Sequence, residues 1–191
     1  LVARGTFARV RVGLVVVRRA GRIPSEENVR VGGLLNERLP RRAGAEARVE
    51  PDLPETLNTL KRMGLKLGIV SNTFVSRASL AKHLSQLNLL EFFPVQLYSY
   101  EYHFRKPSTE IFRIAADKIG QAVESIVFVG DRIDNDILPA MKSGMHAVLK
   151  DAHTNAGKPT PPGARRIRLL SELPAIVEQL RGAPQPTRAN L

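Results

Sequence analysis

The 191 residues contain no cysteine and no tryptophan. The first absence excludes disulfides, thiolate metal sites and a cysteine nucleophile together, and it accords with a reducing cytoplasm. No run of eighteen apolar residues occurs, so length alone excludes a membrane-spanning helix. The longest near-apolar stretch, Val12 to Val17, is too short for a signal sequence and lacks a cleavage-like sequel. The expectation is a soluble, cytoplasmic chain. Two kinds of phosphate-cradling loop are also missing. There is no Gly-x-Gly-x-x-Gly and no Gly-Lys-Ser/Thr, so dinucleotide and P-loop nucleotide binding lack their loops. A serine hydrolase lacks its Gly-x-Ser-x-Gly elbow. The four histidines, His83, His103, His146 and His153, show no ligand spacing.

A further scarcity is local. No aspartate precedes Asp52 and no lysine precedes Lys61. Residues 1–50 hold eleven Arg against five Glu, a net of +6, whereas residues 51–191 contribute only +5 of the overall +11. Basic surfaces attract phosphate backbones. Here, however, the excess sits in one arginine-rich segment without interleaved aromatics, which gives bases nothing to stack on. A nucleic-acid partner is disfavoured on that ground.

What is present falls into three parts. Residues 1–50 carry weak periodicity and one strand-like run, Arg9 to Val17. Residues 51–181 alternate between strand-like and helix-like segments, and residues 182–191 form a Pro- and Gly-containing tail with little apolar content. In the middle part, Asp52 and Pro54 open a helix with Leu57, Leu60 and Met63 as its apolar stripe, stopped at Gly64. Leu65 to Val70 reads as a buried strand ending in the polar turn Ser71-Asn72-Thr73. Ser76 caps a second helix, and Val95 to Ser99 is a strand carrying part of the Tyr98, Tyr100, Tyr102 alternation. Ser108 caps a third helix that Gly120 terminates. Ile126 to Val129 is a strand broken by Gly130-Asp131, a helix runs on to Gly144, and His146 to Leu149 is a further strand. A short strand and helix fill Ile167 to Leu180. Strands alternating with helices predict an α/β, doubly wound parallel sheet. Ligands of such sheets bind beyond the carboxyl ends of the strands.

Three polar clusters sit at that edge: Ser71-Asn72-Thr73, Arg105-Lys106-Pro107, and Asp131 through Asp136. Taken singly, each is an ordinary feature: a turn, a solvated lysine, an acidic loop with a helix cap. Together they supply a hydroxyl with free amides, an ammonium and paired carboxylates. That set suits a phosphate with Mg²⁺, the lysine neutralising charge and the carboxylates holding the hard cation.

The segments GIVSNT, FRKPSTEIF and VFVGDRIDNDILPAMKSGM resemble, in order, the second, third and fourth motifs of the haloacid dehalogenase-like superfamily, and Leu53 to Lys150 follow its pattern nearly continuously. The resemblance implies a Rossmann-like core, Mg²⁺ as cofactor and a phosphorylated small molecule as substrate. By matching position, Ser71 would hydrogen-bond the transferring phosphoryl group with the Asn72 backbone beside it. Lys106 would stabilise the charge on nucleophile and intermediate. Asp131 would bind Mg²⁺, and Asp136 would support the metal or Lys106. Asp134 and Asn135 are left between a metal role and a helix cap. The Gly-Asp-x-x-x-x-Asp pattern favours a phosphatase over a metal-free dehalogenase.

The family's first motif is a strand ending in Asp-x-Asp-Gly-Thr, whose first Asp attacks phosphorus and whose second works as general acid and base. Its strand lies between those carrying Ser71 and Asp131. Two remnants fit here: Gly5-Thr6-Phe7, which puts Val2 and Arg4 at the aspartate positions, or a first strand from Arg9 to Val17, which puts Arg18 and Ala20 there. Neither supplies a carboxylate. The first strand is therefore expected to be atypical or truncated. Three readings follow: a fragment or mis-started frame of a phosphatase, a non-catalytic relative that binds a phosphorylated ligand or a protein, and a nucleic-acid arm on a scaffold, which ranks last.

Overall fold

The computed structural model describes residues 11–18 and 50–181. The Gly5-Thr6-Phe7 remnant and the tail 182–191 lie outside the described residues. The order is β1 (Arg11–Arg18), α1 (Leu53–Arg62), β2 (Leu65–Asn72), α2 (Arg77–Gln86), β3 (Val95–Tyr98) and α3 (Thr109–Ile119). After these come β4 (Ile126–Gly130), α4 (Leu138–Lys142), β5 (His146–Lys150), β6 (Arg165–Ile167) and α5 (Leu173–Arg181).

The six strands form one sheet in the order β3-β2-β1-β4-β5-β6. β2 pairs with β3, β4 with β5 and β5 with β6, all in parallel. β1 fills the centre between β2 and β4, and it runs antiparallel to both. Five strands therefore share one direction and the first opposes them. Arg18 pairs with Leu65, and Val17 with Lys66 and Ile126, so β1 ends where β2 and β4 begin. Arg18 thus stands at the opposite end of β1 from the residues paired with Ser71 and Asn72, and Ala20 lies outside the described residues. The residues of β1 beside Ser71 and Asn72 are Val12 and Arg11.

Alternation along the strands sorts the core into two layers, because successive side chains leave opposite faces of a sheet. Leu65, Leu67 and Ile69 of β2, Val127 and Val129 of β4 and Val148 of β5 join Leu57 and Leu60 of α1 and Leu173 and Val177 of α5. On the other face Val70, Ile126, Phe128, Ala147 and Leu149 pack against Ile111, Phe112, Ala115 and Ile119 of α3. The Phe112 and Phe128 rings meet edge to face, centroids 4.9 Å apart, a favoured geometry for two quadrupoles. Gly68 lies where α3 comes close: a Cβ there would stand 3.0 Å from the Val95 carbonyl oxygen and 3.2 Å from Ile119 Cδ1.

Helix ends follow local chemistry. The Ser76 side chain accepts from the Ser79 amide and Ser108 from the Glu110 amide, and α3 stops at Gly120 in the left-handed region, φ +72°. Asp52 stands at the start of α1 but makes no side-chain cap bond. Its carbonyl instead accepts from Thr56 Oγ1 at 2.9 Å. Two segments differ from the sequence expectation. Ser71 and Asn72 belong to β2 rather than to a turn, because Ser71 is paired on both sides, with Val12 and with Tyr98. The helix after Gly130 opens as a π-turn, Ile133–Ile137, before becoming α4.

Candidate active site

The carboxyl ends of β2 and β4 bring the three polar clusters together. Ser71, on the penultimate residue of β2, is completely buried, and its Oγ has no hydrogen-bond partner. It is the one such side-chain atom among the described residues. A buried hydroxyl without a partner is uncommon and calls for an explanation, such as a ligand or a catalytic role.

Asn72 works through its side chain. Its Nδ2 donates to the Lys106 carbonyl at 2.8 Å, and its Oδ1 accepts from the Lys106 amide at 3.0 Å. This reciprocal pair clamps the loop before α3 to the end of β2. Thr73 continues the junction: its amide donates to Ser99 Oγ at 3.1 Å, and its Oγ1 accepts from the Val75 amide at 3.0 Å.

The Lys106 side chain is buried at 3% exposure. Its ammonium donates to Asp136 Oδ1 at 2.6 Å and to the Val70 carbonyl at 3.2 Å, and lies 5.5 Å from the centroid of Phe128. Two of its three N–H donors are thus used. Asp136, equally buried, receives the Arg132 amide on Oδ2 at 3.0 Å. Gly130 makes this possible. A Cβ on Gly130 would fall 2.4 Å from Asp136 Cβ and 2.6 Å from its Cγ. The π-turn thus packs directly onto the bare backbone of β4.

Asp131 faces a different neighbour. Its Oδ2 accepts from Thr154 Oγ1 at 2.8 Å. Its carbonyl accepts from the same hydroxyl at 2.9 Å and from Asn155 Nδ2 at 2.8 Å. Oδ1 receives no hydrogen bond from a described residue. Asp134 points outward and pairs with Arg132; that hydrogen bond, ahead of the charge attraction, holds its carboxyl below the usual range. An open cleft of about 370 Å³ lies alongside, lined by Arg132, Ile133, Asp134, Leu138, Thr154 and Lys158.

The structure thus links Asn72, Lys106 and Asp136 by hydrogen bonds, leaves the buried Ser71 Oγ unpartnered at the end of β2, and sets Asp131 directly after β4. Asp136, expected from the sequence to support the metal or Lys106, has both oxygens engaged, by Lys106 and by the Arg132 amide. Among the described residues no group of three His, Cys, Asp or Glu converges. A dedicated protein cage for a cation is therefore not formed by these residues. The unengaged Oδ1 of Asp131 fits the other mode that suits Mg²⁺, one or two carboxylates shared with substrate phosphate and water. Thr154 and Asn155 escaped the sequence reading. They come from the loop after β5, more than twenty residues beyond Asp131, and a lone Thr-Asn pair carries no signal of its own.

The α/β sheet thus carries Ser71 at the end of β2 and Asp131 after β4, on either side of β1, with Lys106 clamped in from the loop before α3. The chain belongs to the haloacid dehalogenase-like hydrolase family, whose model matches residues 20–144. It is similar to the glyceraldehyde 3-phosphate phosphatase of Methanocaldococcus jannaschii, 37% identical over 98 residues that make up 51% of this chain and 42% of that protein. It is also similar to the phosphoglycolate phosphatase of Salmonella typhimurium, 32% identical over 127 residues, 66% of this chain and 49% of that one. The chain therefore spans less than half the length of these curated relatives. A crystal structure of a phosphatase of the same superfamily from Thermococcus onnurineus superposes with a TM-score of 0.58 at 29% identity, covering 73% of this chain and 60% of that one. An uncharacterized protein from Listeria monocytogenes shares the fold at 22% identity, with a TM-score of 0.61 over 71% of this chain and 82% of that one. Among the described residues no helix is long and apolar enough to cross a membrane.

Proposed function

We propose that the chain carries the phosphate-binding part of a Mg²⁺-assisted phosphatase site, and that small cytoplasmic phosphomonoesters are its ligand class. The observation that carries this reading is the orphaned, fully buried Oγ of Ser71, one residue along β2 from the Val70 carbonyl to which Lys106 donates. An acceptor on the ligand would complete it. Phosphoryl oxygens are strong acceptors, and the remaining N–H of Lys106 can neutralise their charge at the same strand end. Asn72 holds the Lys106 main chain, and Asp136 holds its ammonium, so the cation is fixed before the ligand arrives. Asp131 would hold Mg²⁺ through Oδ1. The chemistry a bound Mg²⁺ supplies there is neutralisation of charge on a phosphoryl oxygen. The relatives' names, which specify phosphatases of glyceraldehyde 3-phosphate and phosphoglycolate, support the ligand class.

Turnover needs a nucleophile, and no aspartate precedes Asp52 in these 191 residues. Asp52 itself is exposed at the start of α1. The chain as it stands is accordingly expected to hold phosphate without transferring it. That absence favours a second reading, a non-catalytic domain that binds a phosphorylated ligand or protein.

Ser71→Ala tests the site with two signs at once. Removing an unpaired buried hydroxyl relieves a desolvation penalty of about 1–3 kcal/mol, so the ligand-free variant should melt at or above the wild-type temperature. Its affinity for inorganic phosphate with Mg²⁺, measured by calorimetry, should fall roughly tenfold or more, as expected for a lost hydrogen bond to a charged group. Unchanged phosphate affinity would reject Ser71 as a phosphate ligand.

A further inference from the structure

We propose that Thr154 is a positioning residue for Asp131, setting the direction in which that carboxylate meets a divalent cation. The inference rests on the reading of Asp131 as the cation's carboxylate, and goes beyond it by adding a residue from a separate loop. Thr154 sits in the short 3₁₀ turn His153–Asn155 that follows β5. Its single hydroxyl proton is shared between two oxygens of one residue, the Asp131 carbonyl at 2.9 Å and Asp131 Oδ2 at 2.8 Å. With Oδ2 held by the loop, Oδ1 is the oxygen left without a hydrogen bond from a described residue.

The hydroxyl can direct Asp131 only if its own loop is held, and it is. Asn155 is fully buried. Its Nδ2 donates to the carbonyls of Asp131 and Lys150, both at 2.8 Å, and its Oδ1 accepts from the Ala152 amide at 3.3 Å and Arg166 Nη2 at 3.2 Å. Arg166, on β6, ties further to Asp151 at 2.5 Å and to the Lys158 carbonyl at 2.8 Å. The turn is thereby referenced to the ends of β4, β5 and β6 at once. A side chain that merely filled space would not need three strands to locate it. Hydrogen bonds that orient a metal's ligands commonly change metal affinity by about 10–100-fold when removed.

The test is Mg²⁺ titration of the full chain by calorimetry at a fixed concentration of inorganic phosphate, with thermal unfolding of each protein measured without metal. Thr154→Val keeps the branched shape and removes the hydroxyl, Thr154→Ser retains the hydroxyl, and Asp131→Asn is the reference. The expected result is Mg²⁺ binding by the wild type, its loss in Asp131→Asn, an approximately tenfold weakening in Thr154→Val and recovery in Thr154→Ser. Equal affinity of Thr154→Val and wild type, with Asp131→Asn still deficient, overturns the role of Thr154 alone. A lowered melting temperature of Thr154→Val with unchanged affinity does so too, since it describes support of the loop only. Binding that survives Asp131→Asn, or is absent from the wild type, overturns the reading of Asp131 and the inference with it.

Discussion

Lys106→Met should destabilise the folded chain by about 3–5 kcal/mol, the range for breaking a buried ion pair by removing one partner. The substitution keeps the length of the side chain and deletes its charge. What remains is the carboxylate of Asp136, 2% exposed, with only the Arg132 amide to compensate it. The Val70 carbonyl loses its donor from Lys106 as well. Asp136→Leu should be comparably damaging, because it strands a buried ammonium. The double variant should lose much less than the sum of the two, since well-packed apolar residues can replace a buried pair at little net loss. Urea unfolding of the four proteins gives the coupling directly. If Lys106→Met lies within about 1 kcal/mol of the wild type, the pair contributes little and Asp136 is adequately solvated without it. Such a result would also weaken the view that Lys106 is fixed in advance for a phosphate.

The second large effect belongs to a residue with no side chain. Gly130→Ala should destabilise by about 3 kcal/mol, at the upper end for overpacking, because the new methyl would overlap Asp136 Cβ and Cγ rather than a pliable side-chain tip. The π-turn must shift to admit it, and the Lys106–Asp136 contact shifts with the turn. The same substitution at Gly120 makes a useful contrast. There the added Cβ meets nothing within 4 Å, and only the left-handed backbone, φ +72°, resists it, which is worth about 1–2 kcal/mol. Chemical denaturation should therefore rank Gly130→Ala as clearly the worse. In an Asp136→Gly background the overlap disappears, and Gly130→Ala should then have little further effect. A persistent loss in that background would place the conflict somewhere other than Asp136.

These two residues mark the limits of what could be read in advance. The strands and helices from Leu53 to Lys150 were legible because their periodicity and their stops are local: Gly64 and Gly120 end helices, and Ser76 and Ser108 begin them. Ser71 and Asp131 lie where the strand pattern puts polar residues, at the ends of β2 and β4, whereas Lys106 comes from the loop before α3. The clamp of Asn72 on Lys106 joins residues 34 apart, and the Lys106–Asp136 pair joins residues 30 apart. Contacts at such separations leave no periodic trace. Gly130 was legible only as a strand break, whereas its reason is the approach of a turn that begins three residues later. The direction of β1 was invisible for a simpler cause. The run from Arg11 to Arg18 is apolar between two arginines and so reads alike from either end, and only its neighbours decide which way it lies.

The place of β1 has a consequence for how the sheet coheres. Among the described strands it is the only one that bridges β2 and β4, so two parallel pieces, β3-β2 and β4-β5-β6, share a single eight-residue seam. Were the seam to open, both pieces would present a fresh row of unsatisfied amides and carbonyls along their inner margins, an open template for another chain's strand. The covering of those inner margins thus depends on a segment that supplies no candidate site residue.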